Sequence, residues 1–255
     1  MSAAPHERDD RARRFFDPLR LALAFLTVLP IGPRREVAPE AVAQSFAWFP
    51  IAGFMIGALL ALEDSLLGLA FGRPLGSILI VLSLAMLTGA VHLDGLADAA
   101  DALGAGRDRA RALEIMRDSA IGSFGAIALF FVLALKTVAL AVAHRRGAAL
   151  YLAPGLARWA MVAVSRGMVY LRAEGAGSSL LEAGGERSFG FASITAAAAV
   201  MLAPSLGTLE ACPAAAIAAL AIRAFYRRWL GGVTGDLLGA AGEIVETLVL
   251  VVMCI

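Results

Sequence analysis

Long apolar stretches follow one another through this chain with little between them, at about residues 46–72, 76–93, 121–143, 148–170, 189–211 and 236–255. Stretches of roughly 20 apolar residues match the thickness of a bilayer core, where a helix satisfies its own backbone polar groups. A further run, Cys212–Tyr226, reads as a short span or half-helix, with Pro213 where a first helical turn tolerates it. Composition points the same way: 60% of the 255 residues are hydrophobic and 17% are charged, against roughly 25% charged in a soluble domain. The net charge of +1 and the apolar excess exclude a disordered chain, a disulfide-stapled secreted scaffold and a basic nucleic-acid-binding domain. Cys212 and Cys254 sit in apolar runs and are too few for a zinc site. The expected fold is all-α: a polytopic membrane helix bundle of about six to seven transmembrane helices, forming one domain over residues 1–255.

Residues 1–18 carry charges of both signs and read as a cytosolic segment. Residues 19–31 are too short to span and lack a small-x-small cleavage site, which predicts a short re-entrant or interfacial helix. With the N-terminus and Arg34-Arg35 in the cytosol, alternation places 94–120, 171–188 and 223–235 on that side with most of the remaining arginines. Arg145-Arg146 is the exception.

The segment His92-Leu93-Asp94-Gly95-Leu96-Ala97-Asp98-Ala99-Ala100-Asp101 continues from the end of an apolar span. At 100° per residue, Asp94, Asp98 and Asp101 fall within about 60° on one helix face. Like charges at this spacing repel, and no Lys or Arg relieves them before Arg107. A solvated helix end would mix its charge signs. Three aspartates on one stripe suit a hard cation such as Mg²⁺, which takes one or two carboxylates plus substrate phosphate oxygens. His92, beside a span end, reads either as a hydrogen-bonded interfacial residue or as a substrate contact.

Beyond it, Ala110, Leu113 and Met116 mark a short amphipathic helix along the membrane surface. Arg117 offers a guanidinium fork to phosphate. Asp118 and Ser119 either cap the next span or take part in substrate binding. A second acidic group follows Gly231-Gly232-Val233-Thr234-Gly235: Asp236 and Glu243 are nearly eclipsed, with Glu246 about 60° further round. The glycine-rich turn before a helix N-terminus is a natural anion site, which makes Thr234 and Gly235 candidates for phosphate. Carboxylates two to three turns inside an apolar helix are costly and usually functional. Arg158 lies deep enough to need a buried partner, an acid or a substrate phosphate. Glu63-Asp64 and Lys136 read as span-end or snorkelling charges.

These segments together resemble the cobalamin synthase (adenosylcobinamide-GDP ribazoletransferase) family. The resemblance rests on His92-Leu93-Asp94-Gly95-Leu96-Ala97-Asp98, on Glu114-Ile115-Met116-Arg117-Asp118-Ser119 with Ile121-Gly122, and on Gly232-x-Thr234-Gly235-Asp236 with Glu243 and Glu246. Phe25-Leu26-Thr27, Trp48-Phe49-Pro50 with Gly53 and Gly57, and Arg158-Trp159-Ala160-Met161 extend it over about residues 20–250. It implies an enzyme of the prokaryotic inner membrane with its active site facing the cytosol. A ribose hydroxyl of α-ribazole, or of its 5′-phosphate, would attack the cobinamide-linked phosphorus of adenosylcobinamide-GDP and release GMP. The implied cofactor is Mg²⁺, held by Asp94, Asp98 and Asp101. Asp236 with Glu243 would complete the metal shell or accept the hydroxyl proton. Arg117 and the Thr234-Gly235 turn would hold phosphate. Homo-oligomerisation or association with other corrinoid-pathway enzymes stays open. Two rival readings are a CDP-alcohol phosphatidyltransferase, whose aspartate frame this sequence lacks, and a cation transporter, which would need acids opposed near the midplane.

Overall fold

The structure, a computed structural model, describes residues 5–32, 39–172, 186–202 and 206–254, with side chains for 16–32, 41–172, 187–202 and 207–254. Arg34-Arg35 and most of 171–188 lie outside the described residues. Helix α1 (Pro5–Leu26) takes in much of the charged N-terminal segment, so the expected short helix over 19–31 is the end of a longer one. Its Glu, Arg and Ala residues are good helix formers. The chain then runs through α2 (Pro39–Ser45), a 3₁₀ turn and α3 (Phe49–Leu67). Helix α4 (Arg73–Leu87) and helix α5 (Val91–Ala102) follow, then the short surface helix α6 (Arg109–Ile115). Helices α7 (Ser123–Val142) and α8 (Arg146–Ser165) follow, joined by a short turn, and α9 (Glu186–Val200), α10 (Leu206–Trp229) and α11 (Gly235–Val252) complete the order.

Among the described residues four segments are long and apolar enough to cross a membrane: Ala41–Leu67, Ser123–Val142, Arg146–Ser165 and Gly207–Trp229. Helices α4 and α5 would form a fifth if counted as one broken span. The sequence reads as about six to seven transmembrane helices, and the helices that fall short of that test do so for identifiable reasons. Gly89 (φ +61°) and Ala90 (φ +56°) are consecutive left-handed residues, which no right-handed helix can continue through. The expected 76–93 span therefore ends at Leu87, and α5 leaves at 90° to α4. Helix α9 has 15 residues, and the expected short element at 212–226 belongs to the 24-residue α10, with Pro213 in its interior. Helix α11 carries three acids in 18 residues.

Helices α3 and α8 form the tightest interface. A β-carbon on Gly57 would come 2.6 Å from the carbonyl oxygens of Leu150 and Tyr151, and one on Gly53 would strike Pro154. The Gly53-x-x-x-Gly57 spacing thus lets two backbones meet, as small residues do between helices in lipid. Around this centre the outward faces of α7 and α10 expose Phe130, Phe131, Val138, Ile217 and Leu220, an apolar belt suited to lipid. On α6 the inward residues are Ala112 and Met116, with Ala110 exposed, so its apolar stripe is rotated from the expected one. Asp108 caps it by accepting from the Arg111 N–H. Two short parallel bridges, β1 (Val169–Tyr170) and β2 (Gly232–Val233), tie the α8 exit to the α11 entry.

Candidate active site

Helix α5 lies across the first turns of α11, and glycine makes the contact at both crossing points. A β-carbon on Gly95 would come 2.8 Å from the Asp236 carbonyl oxygen, and one on Gly239 would come 3.2 Å from the His92 α-carbon. This near-contact sets the aspartates of α5 beside Asp236, although the two segments are separated by well over a hundred residues. Asp94 is exposed, and Asp98 and Asp236 are half-buried. Asp98 lies on α5, which bends 90° from α4. Partial burial, then the charges of Asp94 and Asp236, push its carboxyl up to about 6, with Arg172 opposing them.

Arg172 was not singled out from the sequence. It follows β1, and its Nη2 donates to Asp236 Oδ2 and to the Met116 carbonyl oxygen at 2.9 Å. The register of β1 against β2, Tyr170 beside Val233, carries it there. A lone Arg in a loop gives no sequence signal until that pairing is known. The Tyr170 hydroxyl lies at the same end, 3.8 Å from where a β-carbon on Gly235 would stand.

Several expected site residues have other work. Asp101 gives both carboxylate oxygens to the start of α7, accepting from the N–H groups of Gly122 at 2.7 Å and Gly125 at 2.9 Å. It satisfies orphan donors of that helix, one with each carboxylate oxygen. Asp118 does not cap α7; it accepts from the Ala120 N–H in its own turn. Arg117, Asp118 and Ser119 are all exposed on the α6–α7 connection, whose root at Met116 touches Arg172. Thr234 is fully buried and caps α11 by accepting from the Leu237 N–H at 3.2 Å. The turn is therefore packed around Thr234, and Gly235 is its exposed edge.

Glu243 stands apart from the aspartates. Lys136 Nζ on α7 donates to Glu243 Oε2 at 2.5 Å and to Glu246 Oε1 at 2.6 Å. Arg158 on α8 pairs with Glu246 Oε2, and its Nη2 lies 3.3 Å from His92 Nδ1. For the guanidinium to donate, Nδ1 must be bare, which places the imidazole proton on Nε2. All five side chains are buried. Two cations face two carboxylates, so the cluster is neutral, and it ties α5, α7, α8 and α11 together. Lys136 is thus a core partner rather than a snorkelling charge, and Arg158 has its buried acid. Glu243 and His92 belong to this layer beneath the aspartates. At Arg146, the exception to the basic-residue pattern, Asp64 neutralises the charge at 2.6 Å, while Glu63 accepts from Ser83.

Residues 18–254 match the family model described as Cobalamin-5-phosphate synthase. This chain belongs to that family. A relative from Syntrophobacter fumaroxidans, an adenosylcobinamide-GDP ribazoletransferase, is 43% identical over 90% of this chain and 94% of its own length. Ribazoletransferases of Geotalea daltonii (35% identical, 91% and 95% covered) and Klebsiella pneumoniae (38%, 91% and 97%) align as fully. No solved structure matches the chain. Membership covers nearly every residue, and neither the CDP-alcohol reading nor the transporter reading is favoured. The aspartate group at the α5–α11 crossing is the family member's candidate active site.

Proposed function

We propose that this chain is an adenosylcobinamide-GDP ribazoletransferase, joining adenosylcobinamide-GDP to α-ribazole or its 5′-phosphate with release of GMP. The observation that carries the reading is the α5–α11 crossing, which puts Asp94, Asp98 and Asp236 at one rim with a guanidinium among them. Displacing GMP develops charge on phosphate oxygens, and positioning plus electrostatic stabilisation is the work such a site must do.

Mg²⁺ suits the donor chemistry at this rim. Asp94 and Asp98 are hard oxygen donors whose mutual repulsion a cation would offset, and Asp236 is in reach of the same field. Among the described residues no three acidic, His or Cys groups form a ready cage, so substrate oxygens would complete the shell, as Mg²⁺ commonly requires. When bound it would polarise the phosphoryl oxygen under attack. Asp236 Oδ2 is held by Arg172 and meets Thr234 Oγ1, which leaves Oδ1 to accept the proton of the attacking ribose hydroxyl. As the new O–P bond forms, the bond from phosphorus to the GMP oxygen breaks and GMP leaves with that electron pair.

The site opens to the cytosol in this reading. Arg109 and Trp229 bond across the same end, bringing Arg107, Arg111, Arg117, Arg227 and Arg228 to the site side. Arg146, at the other end, is neutralised. Such an asymmetry fits an inner-membrane protein with its basic end inside. Purified protein given adenosylcobinamide-GDP, α-ribazole and Mg²⁺ should yield GMP and a complete corrinoid in equal amounts, and EDTA should stop both. GMP release without α-ribazole incorporation would refute the transferase reading.

A further inference from the structure

Resting on that reading, we infer that Arg172 is a phosphate-binding residue of the site, gripping the pyrophosphate of the nucleotide substrate while it stays anchored to Asp236. A guanidinium has five N–H donors in a planar fork. Nη2 of Arg172 spends its two on Asp236 Oδ2 and the Met116 carbonyl oxygen. The remaining donors, on Nε and Nη1, point to different sides of the guanidinium plane's rim, and each can give a single charge-assisted hydrogen bond to a phosphate oxygen. The side chain is about a quarter exposed, so the guanidinium is held by its anchor yet reachable from solvent.

The other arginines near the site are differently committed. Arg158 is sealed in the buried cluster. Arg109 donates Nε to the Trp229 carbonyl oxygen, with its guanidinium against Gly231 at the start of the turn. Arg117, the guanidinium expected from the sequence, is exposed on the α6–α7 connection. Arg172 stands among the carboxylates, where a pyrophosphate carrying Mg²⁺ would have to sit. An anion approaching three aspartates needs a fixed positive charge to admit it, and this guanidinium supplies one without depending on the metal.

The test separates binding from turnover. Equilibrium binding of adenosylcobinamide-GDP would be measured by calorimetry in EDTA for the wild type, R172A, R172Q, R172K and D236N, with thermal melts to verify folding. Loss of charge-assisted hydrogen bonds should weaken metal-free binding about 10–100-fold in R172A and R172Q. R172K, a point charge without the fork, should fall between. D236N should bind as the wild type does or more tightly, yet lose turnover. Unchanged metal-free affinity in folded R172A or R172Q, with only kcat reduced, would mean that Arg172 acts solely through Asp236 and would overturn the inference. No metal-free binding by an active wild type would overturn it equally. A wild type that binds the substrate through Arg172 but transfers nothing would instead count against the proposed reaction.

Discussion

Gly95 lies so close to Asp236 that a β-carbon would come 2.8 Å from the Asp236 carbonyl oxygen and 2.9 Å from its α-carbon. The obstacle is backbone, which cannot rotate away as a side chain can. Gly95→Ala must therefore push α5 off α11 and carry Asp94 and Asp98 from Asp236. Overpacking of this kind costs about 1–3 kcal/mol. Activity should fall more than tenfold while the protein still inserts, measured as GMP release beside a thermal melt. Wild-type turnover in G95A would show that the crossing does not set the site.

The buried cluster makes a prediction about stability rather than chemistry. Removing Lys136 leaves an uncompensated carboxylate among Glu243 and Glu246, at a cost of about 3–5 kcal/mol. Lys136→Met should thus lower folded yield sharply. Adding Glu243→Gln restores balance, because Arg158 still pairs with Glu246. The double variant should recover a large part of the lost stability in detergent melts. A double variant as unstable as K136M would contradict the charge accounting.

Asp101 separates two roles. With its carboxylate taken by the Gly122 and Gly125 N–H groups, Asp101→Ala should cost about 1–3 kcal/mol through unsatisfied donors. The Mg²⁺ concentration giving half-maximal activity should stay near the wild-type value. A large rise in that concentration at unchanged stability would return Asp101 to the metal.

Much of this was legible in the sequence, and the shortfalls share a cause. The helical class, the family and the acidic segments follow from apolar run length and from residue types at helical spacing. Asp94, Asp98 and Asp236 stand together because two glycine contacts, silent in a one-dimensional pattern, let α5 meet α11. Periodicity put Asp101 on the same stripe as Asp94, yet the start of α7, some twenty residues on, claimed it. It also aligned Glu243 with Asp236 on one face, but two turns of depth moved Glu243 into the core beside Lys136. The corner at Gly89-Ala90 was hidden because an alanine with positive φ breaks the usual preference. Arg172 depends on a two-residue strand pairing that no local signal announces.

Asp98 predicts a pH effect. Its carboxyl is raised from 3.8 to about 6 by burial and by Asp94 and Asp236, so the folded state binds more protons than the unfolded one between those values. The ionised form therefore destabilises the metal-free protein, and the penalty grows as pH rises through that window. Asp98→Asn should raise the melting temperature at pH 7.5 by about 2 °C, with the gain shrinking towards pH 4. Protons and Mg²⁺ compete for the wild-type carboxyl, so half-maximal activity should need more Mg²⁺ at pH 5.5 than at pH 7.5. An Mg²⁺ requirement independent of pH would oppose this.

The most direct test of one shared site is a double-mutant cycle on Asp98 and Asp236, read as kcat/KM for GMP release with radiolabelled adenosylcobinamide-GDP. Groups that act as a unit are strongly non-additive, whereas independent sites add within about 0.3–0.5 kcal/mol. For one shared site, D98N/D236N should be little worse than the more damaging single variant. Losses that multiply in full, each residue acting without regard to the other, would contradict it.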